Sequence, residues 1–271
     1  MSSAPLHPSA LHCRNLVRRV NPDRGLLAEL APEGARPGIW AIAAFDWEVA
    51  RIPDLVSEPM LGAIRRQWWR DAWAEIESGR PRLHPVVEAL AAAHQATPLP
   101  MDSVDAYLDA REAEQDGPPE TADEMRAQAT AIGGCIACLE ATTLGQPSQD
   151  AVAIGTAWAL LGEVRTLPLR LQHGRHGLPA DRVAALELGL DSLDPNAIEP
   201  GIIALVQDIC VDATAGLPSG GGLPALHKGY RHLTLLFGKR LKAAGWNPFS
   251  SAINAPTFGR AWSVARVRFG L

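Results

Sequence analysis

Segment after segment of this chain repeats its apolar residues at three- and four-residue intervals. None sustains the two-residue alternation of a half-buried strand. Trp40, Ala43, Ala44 and Trp47 keep helical spacing, and so do Leu61, Ile64, Trp68, Ala72 and Ile76. Trp69 and Trp73 widen the second stripe, so that helix is expected to be covered on more than one side. The residues filling these segments, chiefly Ala, Leu, Arg and Glu, favour helix. The 271-residue chain is therefore expected to be all-α.

Proline and glycine punctuate the pattern. Pro22 and the stretch from Pro32 to Pro37 separate a first helix, 10–20, from one that begins at Gly38 and meets Pro53. Ser57-Glu58-Pro59 reads as a helix start, and Gly79-Arg80-Pro81 as a stop. Further helices are expected over 84–94, 101–111, 122–144, 150–171, 197–215 and 223–244, with another from Ala180. Gly220-Gly221-Gly222 is a loop and not a phosphate cradle, because no strand precedes it and no Lys-Ser or Lys-Thr follows. No repeat or shift in composition divides the chain. A single bundle of about eight to ten helices over 1–271 is the economical arrangement, with the first ~9 and last ~25 residues peripheral.

Composition removes several functions. A formal net charge of -5 gives no global attraction to nucleic acid. No run of eighteen apolar residues offers a membrane-spanning helix. Cys13, Cys135, Cys138 and Cys210 are too scattered for a disulfide framework, and the lone Cys135-x-x-Cys138 has no second pair. They are expected to pack as small helix residues. Arg14, Arg18 and Arg19 precede the first acid, Asp23, which is also the composition of a transit peptide. The reading adopted is a first helix with a basic, solvated face. At the other end, Arg260, Arg266 and Arg268 with Trp262, Val264 and Phe269 make a basic amphipathic tail suited to an anionic membrane surface. A cytoplasmic location, peripheral at the inner membrane, is expected on these grounds, and the Ala-, Arg- and Pro-rich composition suggests a bacterial protein.

The chemistry that such a bundle supports rests on carboxylates. Acids at i and i+4 share one helix face, and two such helices face to face hold Mg²⁺ against a diphosphate. Three stretches carry a resemblance to a family built that way. They are Trp40-Ala41-Ile42-Ala43-Ala44-Phe45, His84-Pro85-Val86-Val87-Glu88-Ala89-Leu90, and Trp158 to Pro179 with its ending Arg175-His176-Gly177-Leu178-Pro179. In order and spacing they resemble the squalene/phytoene synthases over about residues 10–240. The segments Glu48-Val49-Ala50-Arg51-Ile52 and Ile64-Arg65-Arg66-Gln67-Trp68-Trp69-Arg70-Asp71-Ala72 look like one branch in particular. That branch contains a mitochondrial complex I assembly factor and its bacterial relatives. There the chain before these segments is also similar, with Asp23-Arg24, Leu30-Ala31-Pro32 and Phe45, which places the Arg-rich first helix within the domain.

The resemblance implies an isoprenoid-synthase-like bundle around a central cavity and, in catalytic members, two aspartate-rich motifs. Those motifs fall here at Ala50 and Asp54, and at Gly162 and Thr166. Only Asp54 remains, with Arg51 on its turn and Arg165 kept between the second pair. One or two acids do not hold three hard cations. The resemblance thus implies a non-catalytic member with no metal. It would act in assembling a membrane respiratory complex or bind a prenyl-type ligand, with a respiratory-complex subunit or a prenyl diphosphate-like molecule as partner. Arg51, Asp54, Arg165, Glu48 and Glu163 are the candidate ligand-binding residues, and Asp54 and Arg165 the catalytic remnants. A single ion held by Glu48, Asp54 and Glu163 is the alternative, although acids next to Arg51 and Arg165 more often make ion pairs. The rival reading is a Mg²⁺-dependent prenyltransferase that condenses two isoprenoid diphosphates head to head. His173 and His176 flank a turn without a third ligand, and Asp109, Arg111, Glu112 and Asp116 are expected to be solvated charges.

Overall fold

The computed structural model describes residues 5–56, 58–190 and 198–254. Among these residues every regular element is helical. The basic tail from Arg260 onward and Ser57 lie outside them, as do residues 191–197.

The first helix, α1 (Pro8–Val20), is part of the bundle. It buries Cys13, Leu16 and Val17 while Arg18 and Arg19 stay at the surface. Pro22 does not break the chain into loop. It stands at the first turn of a second helix, α2 (Pro22–Ala28), where its missing N–H has no cost. The Asn21 side chain accepts from the Arg24 N–H and caps that turn. α3 (Arg36–Ala50) is buried over most of its length, from Gly38 to Phe45. A single turn, α4 (Ile52–Leu55), then re-aims the chain at Pro53 before α5 (Pro59–Glu77).

α5 corrects one expectation. Its inner face holds Trp69, Ala72, Trp73 and Ile76 in the core, with Trp69 and Trp73 edge-on to Phe45 at 5.1 and 5.4 Å. The N-terminal part of the expected stripe faces outward: Leu61 is 44% exposed and Ile64 58%. The reason is Gly62 and Arg66, which occupy the inward positions there beside Gln115. α6 (Pro85–Ala96) and α7 (Met101–Ala113) complete the first half.

The expected long helix over 122–144 is three pieces: α8 (Ala122–Ala129), a π-helical turn (Thr130–Gly134) and α9 (Cys135–Thr143). The widened turn lies against α10 (Gln149–Gln172), where Gly133 meets Gly155. A Cβ on Gly133 would fall against the Gly155 carbonyl oxygen, and one on Gly155 against that of Gly133. Only two glycines permit that backbone approach. α11 (Ala180–Ala185) is short, α12 (Pro200–Ala215) and α13 (Ala225–Ala243) pack on α10, and α14 (Ser251–Asn254) closes against α13. The segments outnumber the eight to ten expected because 122–144 is split and because α2, α4 and α14 add short helices.

Candidate functional site

The motif positions lie on α3, α4 and α10. Ala50 ends α3 and offers no oxygen ligand from its side chain, and Gly162 offers none on α10. Thr166 spends its hydroxyl donating to the Gly162 carbonyl at 2.8 Å. The remaining acids are each met by an arginine. Glu48 lies 3.8 Å from Arg51, whose Nε is buried without a hydrogen-bond partner. Asp54 is more than half exposed and binds Arg175 of the α10–α11 loop. Glu163 pairs with Arg170 at 3.0 Å. Its other oxygen is buried against Gly177, at a place any side chain would fill. Burial raises the Glu163 carboxyl, and Arg170 offsets this only in part.

Arg165 points inward from α10 and reaches Asp23 of α2 at 3.2 Å. Its guanidinium lies 3.6 Å from the centre of the Phe237 ring, a cation–π contact. Glu48, Asp54 and Glu163 therefore do not converge. Among the described residues no three His, Cys, Asp or Glu side chains stand close enough to hold a metal ion. The family resemblance implies Mg²⁺, but the donors present do not fit it: three of the four motif positions, Ala50, Gly162 and Thr166, lack a carboxylate, and the fourth, Asp54, is bound to Arg175.

A larger polar system runs beside these positions. Asp46, in the middle of α3, accepts from Tyr107 at 2.6 Å and pairs with Arg24 at 2.6 Å and Arg111 at 2.9 Å. Arg111 also binds Glu114 at 2.8 Å, and Glu114 binds Arg170 at 3.1 Å, which leads on to Glu163. The chain Arg24–Asp46–Arg111–Glu114–Arg170–Glu163 alternates in sign and ties α2, α3, α7 and α10 together. Burial alone would raise Asp46, but Arg24 and Arg111 overcome it and hold the carboxyl at about 2. Arg111 and Arg170 likewise keep Glu114 below the ordinary range against its burial. Arg111 is thus no solvated charge, since only 12% of its side chain is exposed. Asp109 and Glu112 do lie outward and pair with Arg70. Sequence reasoning missed Asp46, Arg111, Glu114 and Arg170. The available signal was an acid interrupting the apolar run around Phe45 and Trp47.

The interior holds a second polar group. Glu140 of α9 is 1% exposed and accepts from Tyr230 of α13 at 3.1 Å. His227 is fully buried, 3.8 Å from Glu140, and neither ring nitrogen has a hydrogen-bond partner of good geometry; the nearest is the Ala137 carbonyl. Burial pushes Glu140 up to about 7 and His227 down to about 4, so between those values the pair stands close but uncharged. The void they line with Arg24, Ile136, Trp158 and Tyr230 measures about 10 Å³. That is the room of one water molecule. Trp158 and Tyr230 line it in ring contact, and Trp158 also packs on the ring of Phe237. A larger hollow of about 330 Å³ lies apart from the motif residues, between α1, α3 and α6.

This is the helical fold of the squalene and dehydrosqualene synthases. A structure of a dehydrosqualene synthase in complex with ligand superposes with a TM-score of 0.78 over 97% of this chain and 96% of that one, at 12% identity. Squalene synthase HpnC from Alicyclobacillus acidocaldarius superposes with a TM-score of 0.72 over 89% of this chain and 95% of that one, at 17% identity. The chain belongs to the squalene/phytoene synthase family, whose model matches residues 17–239. It is also similar to the NADH dehydrogenase (ubiquinone) complex I assembly factor 6 of Bos taurus, 35% identical over 75 residues. That match covers 28% of this chain and 22% of the bovine protein; the human protein gives 32% over the same length. No helix among the described residues is long and apolar enough to cross a membrane.

Proposed function

We propose that this protein is a non-catalytic member of its family that acts by contact with other macromolecules in the assembly of a membrane respiratory complex. The observation that carries the reading is the state of the acids near the motif positions: Glu48, Asp54 and Glu163 each face an arginine, and Ala50, Gly162 and Thr166 bring no carboxylate. Ionising an allylic diphosphate requires cations on the leaving group and a dry cavity for the carbocation. Small-molecule sites are commonly of several hundred Å³. The void of about 10 Å³ beside Glu140 and His227 is too small for an isoprenoid chain, and the hollow of about 330 Å³ between α1, α3 and α6 is lined by none of the motif residues. Of the two non-catalytic roles, assembly is therefore favoured over holding a prenyl-type ligand. The respiratory complex itself is proposed from the likeness to the complex I assembly factors.

The test is diphosphate release from farnesyl and geranylgeranyl diphosphate by the purified, folded protein, with and without Mg²⁺. No release is expected. Mg²⁺-dependent release that Asp54→Ala abolishes would establish the head-to-head prenyltransferase instead. Loss of the gene from its host should lower membrane NADH dehydrogenase activity, and unchanged activity would remove the assembly role.

A further inference from the structure

All three lysines of the chain, Lys228, Lys239 and Lys242, lie on α13. At helical spacing they fall on one side of it, in the series Lys228, Arg231, Leu235, Lys239, Lys242 at i, i+3, i+7, i+11 and i+14. The lysines are exposed, whereas Tyr230, Leu233, Phe237 and Leu241 turn into the core. The series extends about 21 Å along the helix.

Arginines elsewhere in the molecule are used differently. Arg24, Arg111, Arg165 and Arg170 are bound to carboxylates inside the bundle, where a planar fork fits. Lysine is a hydrated point charge that meets phosphates without a fixed geometry. No ion pair engages Lys228, Arg231, Lys239 or Lys242 among the described residues, although Arg231 donates to the Pro218 carbonyl. The acids of the packed neighbours are turned to other partners. Asp23 of α2 binds Arg165, Asp208 and Asp212 of α12 bind Arg182 and Arg126, and Glu163 of α10 binds Arg170. Residues 213–271 contain eight Lys and Arg and no Asp or Glu, so no acid of this stretch neutralises the face.

We infer that the outer face of α13 docks on an anionic phospholipid surface, with the helix lying along the membrane plane. A row of unneutralised lysines around a leucine complements such a surface. Nucleic acid is disfavoured, because the face has no aromatic side chain for a base to stack on. This inference is independent of whether the protein is catalytic.

The experiment is co-sedimentation of the full chain with phosphatidylcholine vesicles, with and without phosphatidylglycerol. It is repeated at raised salt and with the variant Lys228→Gln/Lys239→Gln/Lys242→Gln, whose fold is checked by circular dichroism. Expected are binding only to the phosphatidylglycerol vesicles, loss of binding in salt, and partitioning weakened on the order of a hundredfold in the variant. Equal binding to neutral vesicles would overturn the inference and point to the exposed Met60, Leu61 and Ile64. Binding retained by the variant, or absent in the parent, would overturn it as well. So would salt-sensitive binding of single-stranded DNA tighter than binding to the vesicles.

Discussion

Two buried carboxylates in this bundle have opposite fates. Asp46 is met by two guanidinium groups and a phenol, and it stays ionised down to about 2. Glu140 is more deeply buried, has one phenol as its hydrogen-bond donor, and holds its proton to about 7. Both lie near Arg24, so depth alone does not decide the charge state. What decides is whether cations lie in direct contact. A carboxylate in a low-dielectric interior is kept charged by contact ion pairs and hydrogen bonds, and otherwise neutralises itself by taking up a proton.

The sharpest way to break the contrast is to remove each charge. Asp46→Asn leaves Arg24 and Arg111 without their shared counter-ion and should cost about 3–5 kcal/mol in urea unfolding at neutral pH. Glu140→Gln keeps an acceptor for Tyr230 and removes a group that is about half ionised at neutral pH and whose charge is penalised by burial, so it should be neutral to stabilising there. Equal losses would mean that the two sites are electrostatically alike. The phenols sharpen the same point. Tyr107→Phe removes a hydrogen bond to a charged acceptor and should cost about 2 kcal/mol, against about 1 kcal/mol for Tyr230→Phe.

The pH dependence gives a finer test. Glu140 has its folded value raised from 4.5 to about 7, so the native state binds the extra proton and stability falls as pH rises through that window. His227 has its folded value lowered from 6.5 to about 4, so the unfolded state binds the extra proton and stability rises with pH over that range. Between about 4.5 and 6.5 the two slopes oppose one another. Glu140→Gln should therefore unmask a rise of about 1 kcal/mol per pH unit there, and His227→Gln a fall of similar size. Parallel curves for parent and variants, measured as unfolding midpoints across this range, would show that neither group titrates as described. Asp46 adds stability that is full above its unfolded value of 3.8 and is lost as pH falls through about 2.

Local features were legible in the sequence and long-range ones were not. Helical spacing placed α3, α6, α7, α10 and α13 closely, because each has a continuous apolar face and prolines or glycines at its ends. The π-turn inside 122–144 was hidden, since Gly133 and Gly134 read as ordinary small residues until Gly155 is seen to press on them. Leu61 and Ile64 continue the period of Trp68 and Ala72, yet periodicity does not say which of two apolar faces the bundle covers. The loss of motif acids at Ala50, Gly162 and Thr166 could be read directly, whereas the partners of the survivors could not. Arg175 reaches Asp54, and Arg165 reaches Asp23, across more than a hundred residues of chain.

The crossing of Gly133 on Gly155 has a mechanical consequence. Where backbone lies on backbone, no side chain is present to change rotamer and absorb a displacement. A shift of the π-turn is handed to α10 directly, so residues 130–137 and 152–159 should open to solvent together. In hydrogen exchange these amides would form one slow cooperative set, and that set would keep time for the whole interior.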